Sequence, residues 1–168
     1  MRFLKSFKYA FRGIIYCINN ERNMRIHTVV ALYVFVFSFF FHLSRTAYAA
    51  LFLTFGMVWM GELFNTVAEE LSDLAAASFN PVVRIIKDMA SGSVLVGAFF
   101  SVLVGVCFFW QPAAFVRMVV YFGFHPAMIA VLAAVTAASA VFVRLGPLGI
   151  RDRVIQRRAD RERRERRE

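Results

Sequence analysis

The residues most able to do chemistry form a polar stripe at the end of an apolar stretch. Glu62, Asn65, Glu69 and Asp73 follow one another at spacings of three and four residues. On a helix, which turns by about 100° per residue, all four fall within an arc of about 80°. Oxygen ligands of this kind suit Mg²⁺, which takes one or two carboxylates together with phosphate oxygens and water. The stripe therefore indicates a metal site, although carboxylates are also common where a helix simply enters water.

Glu62 is the most unusual member of this stripe because its sequence neighbours are still apolar. Gly61, Leu63 and Phe64 flank it, so its side chain is predicted at or just inside the boundary of a membrane. An ionisable group at that depth is costly and indicates a function. Glu70 lies off the stripe, and we interpret it as an ordinary solvated carboxylate.

A second polar feature, the pair Lys87 and Asp88, stands just before another apolar run. Alone, such a pair is typical of a solvated helix start. Beside a metal site it could offer a cation to phosphates and an acceptor to a base amine. The chain has no P-loop and no Gly-x-Gly-x-x-Gly motif, so any nucleotide must be held differently. The scattered histidines His27, His42 and His125 do not suggest a zinc site, and a belt or core role is expected for each.

Membrane-spanning helices are the elements that must position these residues. Of 168 residues, 60% are apolar and 20 are Phe, against an apolar content of about 45–50% in soluble domains. A soluble fold of this length could not bury so much apolar surface, so the sequence predicts an all-α integral membrane protein. An amphipathic surface helix is predicted at 2–20, followed by spans at 26–43, 47–70 and 89–111 and by an extra span within 112–145.

The distribution of Arg and Lys predicts the orientation of these spans. Six basic residues precede the first span, and ten lie between Arg144 and the end of the sequence. With four crossings both rich segments face the cytoplasm, as basic segments usually do. The basic tail at 146–168 is predicted to be a solvated helix or a disordered segment near anionic lipid. Because the tail has no aromatic residues to stack on bases, nucleic-acid binding is not expected.

Two features of the C-terminal half of the sequence have more than one interpretation. The segment 113–125 fits either an external interfacial helix or an early start of the fourth span, kinked at Gly123 and Pro126. The third span repeats small residues at every fourth position, a pattern typical of close helix packing within or between subunits. These small residues are Ser93, Gly97, Ser101 and Gly105.

Four segments follow one another at uninterrupted spacing: Tyr9–Ile14, Glu21–His27, Glu62–Asp73 and Lys87–Gly92. Together they resemble the small prokaryotic diacylglycerol kinase and undecaprenol kinase family, over about residues 2 to 110. The form of the segment at 21–27 is more similar to the undecaprenol kinase branch. The resemblance implies a lipid kinase core at 1–111 that works as a homotrimer, with active sites between subunits, in the cytoplasmic membrane of a bacterium. It also implies MgATP as the phosphate donor.

On matching positions the resemblance implies a role for each polar residue. Glu62 would be the general base that takes the proton from the lipid hydroxyl. Glu21 and Glu69 would hold the metal, with support from Asn65. These acidic side chains, which come from two separate stretches, are therefore expected to converge.

The remaining roles concern the nucleotide and the edge of the lipid site. Lys87 would contact phosphate, Asp88 would accept from the adenine amino group, and Asp73 would orient the nearby polar network. The resemblance further implies that Tyr9 and Arg2 touch the nucleotide from the surface helix. Ser91, together with the region near Glu62, would border the lipid.

The leading functional hypothesis is an ATP-dependent kinase that converts undecaprenol to undecaprenyl phosphate. A diacylglycerol kinase that gives phosphatidic acid is the alternative within the same class. Outside this class, the chain could be a catalytically inactive membrane adaptor or a small transporter. The extra span beyond residue 111 could stay beside its own subunit, or it could wedge into the subunit interface.

Overall fold

The computed structural model describes residues 2–75 and 80–165, with side chains described for 3–75 and 80–156. Within these residues the chain is entirely α-helical, which confirms the predicted fold class. The six helices are α1 (Arg2–Asn20), α2 (Arg22–Ser38), α3 (Arg45–Ala75), α4 (Pro81–Phe109), α5 (Pro112–Phe124) and α6 (Pro126–Glu165).

α1 has the length and the amphipathic pattern expected of the surface helix. Its apolar side chains project away from the protein, so that Phe3, Phe7, Phe11 and Ile15 are all exposed. An exposed apolar stripe on a helix with basic residues on its other face fits a helix that lies in the headgroup layer of a membrane.

Among the described residues, three helices are long and apolar enough to cross a membrane: α3, α4 and the part of α6 at Pro126–Gln156. The chain is therefore a multi-pass membrane protein. α2 has 17 residues and is about 25 Å long, so a crossing by α2 stays a prediction from its apolar sequence.

The helix bounds differ from the apolar runs because hydropathy marks the membrane layer, whereas hydrogen bonding and capping mark the helix. α2 ends at Ser38, although the apolar run continues to Leu43. The amides of Phe40 and Phe41 turn back to carbonyls three residues earlier and tighten the chain into a turn. α4 begins well before its apolar run, because Asn80 accepts a hydrogen bond from the amide of Val82 and Pro81 occupies the first turn.

α3 and α4 form a close antiparallel pair, which is the scaffold of the site. Gly61 of α3 lies so near α4 that a Cβ placed on it would sit 3.8 Å from Val94. α2 packs against α3 on one side and α6 on the other, and α6 also contacts α1. The extra span therefore contacts α1 and α2 of its own chain, and its place relative to a subunit interface stays a prediction.

α5 is a helix of its own and not the first turns of α6. The backbone leaves the helical region at His125 (φ −127°, ψ 70°), and α6 starts at Pro126. Phe41, in the turn after α2, packs edge-on against Phe109 and Phe115 and so ties this end of the bundle together.

α6 continues as a helix into the basic tail, as the first of the two tail interpretations expects. A break occurs at Gly146, whose backbone has φ 66° and ψ 172°, and Pro147 follows it. This backbone conformation is essentially restricted to glycine.

The Asn80 cap gives a first test of the fold. We expect Asn80→Ala to lower the free energy of unfolding in detergent by about 1 kcal/mol, because the amide of Val82 loses its acceptor. Asn80→Asp keeps an oxygen acceptor at the same place and serves as the matched control. Equal stability of the alanine and aspartate variants in a denaturant titration would contradict this assignment of the cap.

Candidate active site

A cavity of about 450 Å³ lies where the junction of α1 and α2 meets the pair α3–α4. Its polar wall is made of the side chains that the sequence singled out on the α3 stripe, joined by residues from the other elements. This polar wall consists of Glu21, Asn23, His27, Glu62, Asn65, Glu69 and Ser91. Its remaining wall is apolar and comes from α2 and α4. The cavity is therefore acidic at one end and apolar at the other.

Glu21 reaches the cavity because the chain breaks between α1 and α2. Its backbone is extended (φ −94°, ψ 119°), yet its amide still donates to the carbonyl of Cys17 at 2.7 Å. Burial raises the pKa of the Glu21 carboxyl, and the carboxylates of Glu69 and Glu62 raise it further. The acidic side chains of two separate stretches thus lie close enough to repel one another, which is the convergence expected from the resemblance.

Glu62 is the most deeply buried carboxylate of the group, with 1% of its side chain exposed. Its Oε1 lies 3.2 Å from Nε2 of His27 on α2, although neither carboxylate oxygen makes a hydrogen bond of good geometry within the described residues. A protonated His27 would offset the cost of burying this charge. The expectation of a belt or core role missed this contact. The signal that could have found it is the position of His27 in the same motif as Glu21.

Asn65 links the two helices of the pair at the centre of the cavity. Its amide Nδ2 donates to Oε1 of Glu69 at 2.8 Å, and its Oδ1 accepts from the hydroxyl of Ser91 at 3.2 Å. These bonds fix the orientation of the amide and direct the Glu69 carboxylate towards the cavity.

The other predicted residues of α3 and α4 form a separate group nearer to the helix ends. Asp73 and Lys87 pair with each other across the two helices. This pair lies two helical turns, about 12 Å, from Asn65 along α3. Asp88 is 73% exposed and lies 4.0 Å from Arg84. None of these residues lines the acidic cavity, so the structure divides the predicted set into an inner carboxylate group and an outer charged group.

Tyr9, one of the two residues expected to contribute from α1, is not in the cavity wall. Tyr9 is exposed, and the guanidinium of Arg12 lies 5.7 Å from the centre of its ring. The side chain of Arg2 lies outside the described residues.

Two contacts dock α1 onto α3 next to the cavity. The hydroxyl of Tyr16 donates to Oε1 of Glu70 at 2.6 Å, and this bond raises the pKa of Tyr16. One turn earlier on α3, the hydroxyl of Thr66 lies 3.2 Å from the thiol of Cys17. Glu70 is exposed, as the interpretation as a solvated carboxylate expects, and it also anchors the surface helix because α1 brings a phenol to it.

Glu21 and Glu69 are the residues that fit a divalent metal. They are neighbouring carboxylates, and an amide already orients one of them. In the described part of the chain, no three acidic, histidine or cysteine side chains form a complete protein cage. Mg²⁺ is commonly bound through one or two protein carboxylates, with water and substrate phosphates as its other ligands.

Residues 8–109, more than half of the chain, match the family model of prokaryotic diacylglycerol kinase. The chain belongs to this family, which confirms the resemblance seen in the motifs. It is 39% identical over 110 residues to a protein of Synechocystis sp. named diacylglycerol kinase. That match covers 65% of this chain and 63% of the relative, so the chain spans less than two thirds of the relative's length. It is also 36% identical over 108 residues to the undecaprenol kinase of Bacillus subtilis, with 64% of this chain and 88% of that protein covered.

The link between Asn65 and Ser91 can be measured directly. We expect Ser91→Ala to lower the free energy of unfolding by about 0.5–1 kcal/mol, because Asn65 loses a partly buried hydrogen bond. In an Asn65→Ala background the same substitution should have almost no further effect, since the partner is already gone. Ser93→Ala is the matched control, because the hydroxyl of Ser93 bonds only within its own helix, to the carbonyl of Ala90. A loss that is the same in both backgrounds would contradict the link.

Proposed function

We propose that this protein is a lipid kinase that transfers the γ-phosphate of MgATP to the hydroxyl of a membrane lipid alcohol, foremost undecaprenol. The observation that carries the proposal is the acidic cavity, where Glu21, Glu62 and Glu69 meet at the end of an apolar bundle. Its support from the comparisons is membership of the family, whose relatives include proteins named for each of two lipid alcohols.

The acidic cavity adjoins an apolar one, and this arrangement supports a lipid substrate. A second cavity of about 330 Å³ lies between α2, α3 and α4, with an almost wholly apolar wall. Ile26, His27 and Ala98 line both cavities. A hydrocarbon chain in the apolar cavity would bring a terminal hydroxyl towards the acidic cavity, which Glu62 lines.

Glu62 is proposed as the general base. Phosphoryl transfer needs mainly correct positioning and neutralisation of charge, and a positioned base adds about 10²–10⁴-fold. The carboxylate of Glu62 has no hydrogen bond to satisfy it, so it can accept the proton of a lipid hydroxyl. His27, at 3.2 Å, would stabilise the charged carboxylate before transfer.

The remaining polar residues are proposed to bind the nucleotide. Glu21 and Glu69 would hold Mg²⁺, which neutralises charge on the phosphate oxygens when it is bound, and Asn65 would keep Glu69 in place. In the outer group, Lys87 is proposed to contact phosphate, Asp88 to accept from the adenine amino group, and Asp73 to orient Lys87. The proposal also keeps Tyr9 and Arg2 of α1 as nucleotide contacts, and Ser91 as a residue at the edge of the lipid site.

A homotrimer with shared active sites remains part of the proposal. On α4, a Cβ added to Gly97 or to Gly105 would meet no atom within 4 Å. Phe99, Phe100 and Val102 beside them are exposed. These exposed apolar side chains give α4 a surface suited to packing against a second copy, while Ser101 and Gly105 of the small-residue pattern line the apolar cavity.

The proposed location is the cytoplasmic membrane of a bacterium, with both termini on the cytoplasmic side. The basic residues support this orientation, because most of them lie before α2 and after residue 143. On this side the acidic cavity would receive MgATP from the cytoplasm.

Substitution of the carboxylates tests the proposed chemistry. We expect Glu62→Gln to lower kcat by about 10²–10⁴-fold with little change in KM for MgATP, because only the base is removed. Glu69→Gln should abolish turnover at ordinary Mg²⁺ concentrations, because one metal ligand is lost. Both should be measured as transfer of labelled phosphate to lipid, with folding checked by circular dichroism.

Glu70→Gln is the matched control for these variants. Glu70 is next to Glu69 in sequence, it does not line the acidic cavity, and glutamine can still accept the hydrogen bond of Tyr16. Turnover close to that of the unchanged protein in Glu62→Gln would refute the role of Glu62 as the base.

The choice of lipid is tested by supplying the purified protein with labelled ATP and equal mole fractions of undecaprenol and diacylglycerol in mixed micelles. We expect faster phosphorylation of undecaprenol, in line with the form of the motif at 21–27. Equal or reversed preference would favour the alternative, a diacylglycerol kinase. Incorporation into neither lipid would favour the catalytically inactive adaptor.

A further inference from the structure

Arg25 is a buried charge at the junction of three helices. Only 6% of its surface is exposed, although it stands in the first turn of α2. Its guanidinium donates three hydrogen bonds, each to a backbone carbonyl. Nη1 reaches the carbonyls of Ile18 and Asn19 at 3.0 and 2.9 Å, and Nε reaches the carbonyl of Val143 at 3.1 Å.

The first two of these bonds complete the end of α1. The last carbonyls of a helix have no partner within the helix, and a basic side chain can satisfy them. Arg25 therefore closes the elbow between α1 and α2 by holding the end of one helix to the start of the next.

The acceptor of the third bond, the carbonyl of Val143, lies on α6. This helix is beyond the part of the chain that matches the family. Three residues after Val143, the backbone of α6 breaks at Gly146. A Cβ on Gly146 would lie 3.0 Å from Nη1 and 3.2 Å from Cζ of Arg25, and 3.4 Å from the carbonyl of Asn19. The extra helix thus approaches the elbow so closely that a side chain at position 146 would displace the guanidinium by a few tenths of an ångström, and the positive φ of Gly146 itself disfavours any other residue.

Glu21 stands inside this elbow, and its backbone is held on both sides. Its amide donates to the carbonyl of Cys17 at 2.7 Å, and its own carbonyl accepts from the amide of Arg25 at 3.4 Å. A shift of Arg25 or of the last turn of α1 would therefore move the Glu21 carboxylate relative to Glu69.

We infer that α6 acts as an intramolecular clamp on the elbow between α1 and α2, and that Arg25 and Gly146 are positioning residues for Glu21. This inference rests on the proposed function, in which Glu21 is a metal ligand. Without the clamp, the end of α1 loosens and the two metal-binding carboxylates lose their fixed separation.

The test uses Cys17 as a probe that does not depend on activity. Cys17 lies in the last turns of α1, and it is buried against Thr66. The chain has two cysteines, so a Cys107→Ser background of the full-length protein leaves Cys17 as the single thiol. The rate of its alkylation by a water-soluble maleimide then reports how tightly α1 is held. The second readout is the Mg²⁺ concentration that gives half-maximal kinase activity.

We expect Gly146→Ala to raise both the alkylation rate and the half-saturating Mg²⁺ concentration by about fivefold or more, with a smaller change in kcat. Gly149→Ala is the matched control, because its Cβ would meet only the side chain of Leu145 at an ordinary 3.4 Å. Arg25→Lys tests the same contact from α2, without a substitution in α6. It should shift both readouts in the same direction, because one ammonium group cannot span the carbonyls of α1 and α6 as a guanidinium does.

The possible outcomes separate the clamp from the proposed function. Unchanged alkylation of Cys17 in folded Gly146→Ala and Arg25→Lys would overturn the clamp. Faster alkylation with an unchanged Mg²⁺ requirement would overturn the positioning of Glu21. If the variants are alkylated faster but the protein without these substitutions phosphorylates no lipid, the clamp is supported and the proposed function is refuted.

Discussion

Mutual repulsion between carboxylates is the constraint on which the site depends. Glu21, Glu62 and Glu69 line one cavity. Burial raises the pKa of Glu21, and the charges of Glu69 and Glu62 raise it further. Such a group is stable only if the surrounding structure holds each member in place and supplies partial positive charge. The neighbours do both, since an amide donates to Glu69 and an imidazole lies beside Glu62. The negative charge that remains faces the cavity, and a divalent metal would neutralise it.

The supporting structure is built in two layers around that charge. The pair α3–α4 gives the rigid part, because the two helices pack together at Gly61 and Val94 and an amide–hydroxyl bond joins them at the level of the cavity. α1 and the start of α2 form the adjustable part. They are held by a phenol on Glu70 and by the guanidinium of Arg25. One carboxylate thus stands on the adjustable part and two on the rigid part.

Periodicity in the sequence was enough to predict the α3 stripe. Its four polar residues share one helix face wherever that helix lies: Glu62, Asn65, Glu69 and Asp73. The amphipathic nature of α1 and the apolar runs followed from the same kind of local pattern. The meeting of Glu21 with Glu69 came only from the resemblance to a family, because no local pattern relates two helices. The contacts of His27 and Arg25 were missed for that reason, and Arg25 was counted simply as one of the basic residues that orient the chain. The helix ends were displaced where capping at Asn80 or a turn after Ser38 decides the boundary and hydropathy does not.

The bond between Arg25 and Val143 joins residues 118 positions apart, and it sets an order of events during synthesis. The elbow between α1 and α2 emerges from the ribosome before α6, which carries its last hydrogen-bond acceptor. Contacts of such long sequence separation form late because the intervening chain must first be brought together. The N-terminal half therefore enters the membrane with Arg25 still lacking one of its three acceptors, and the elbow beside the acidic cavity is complete only once α6 has been made.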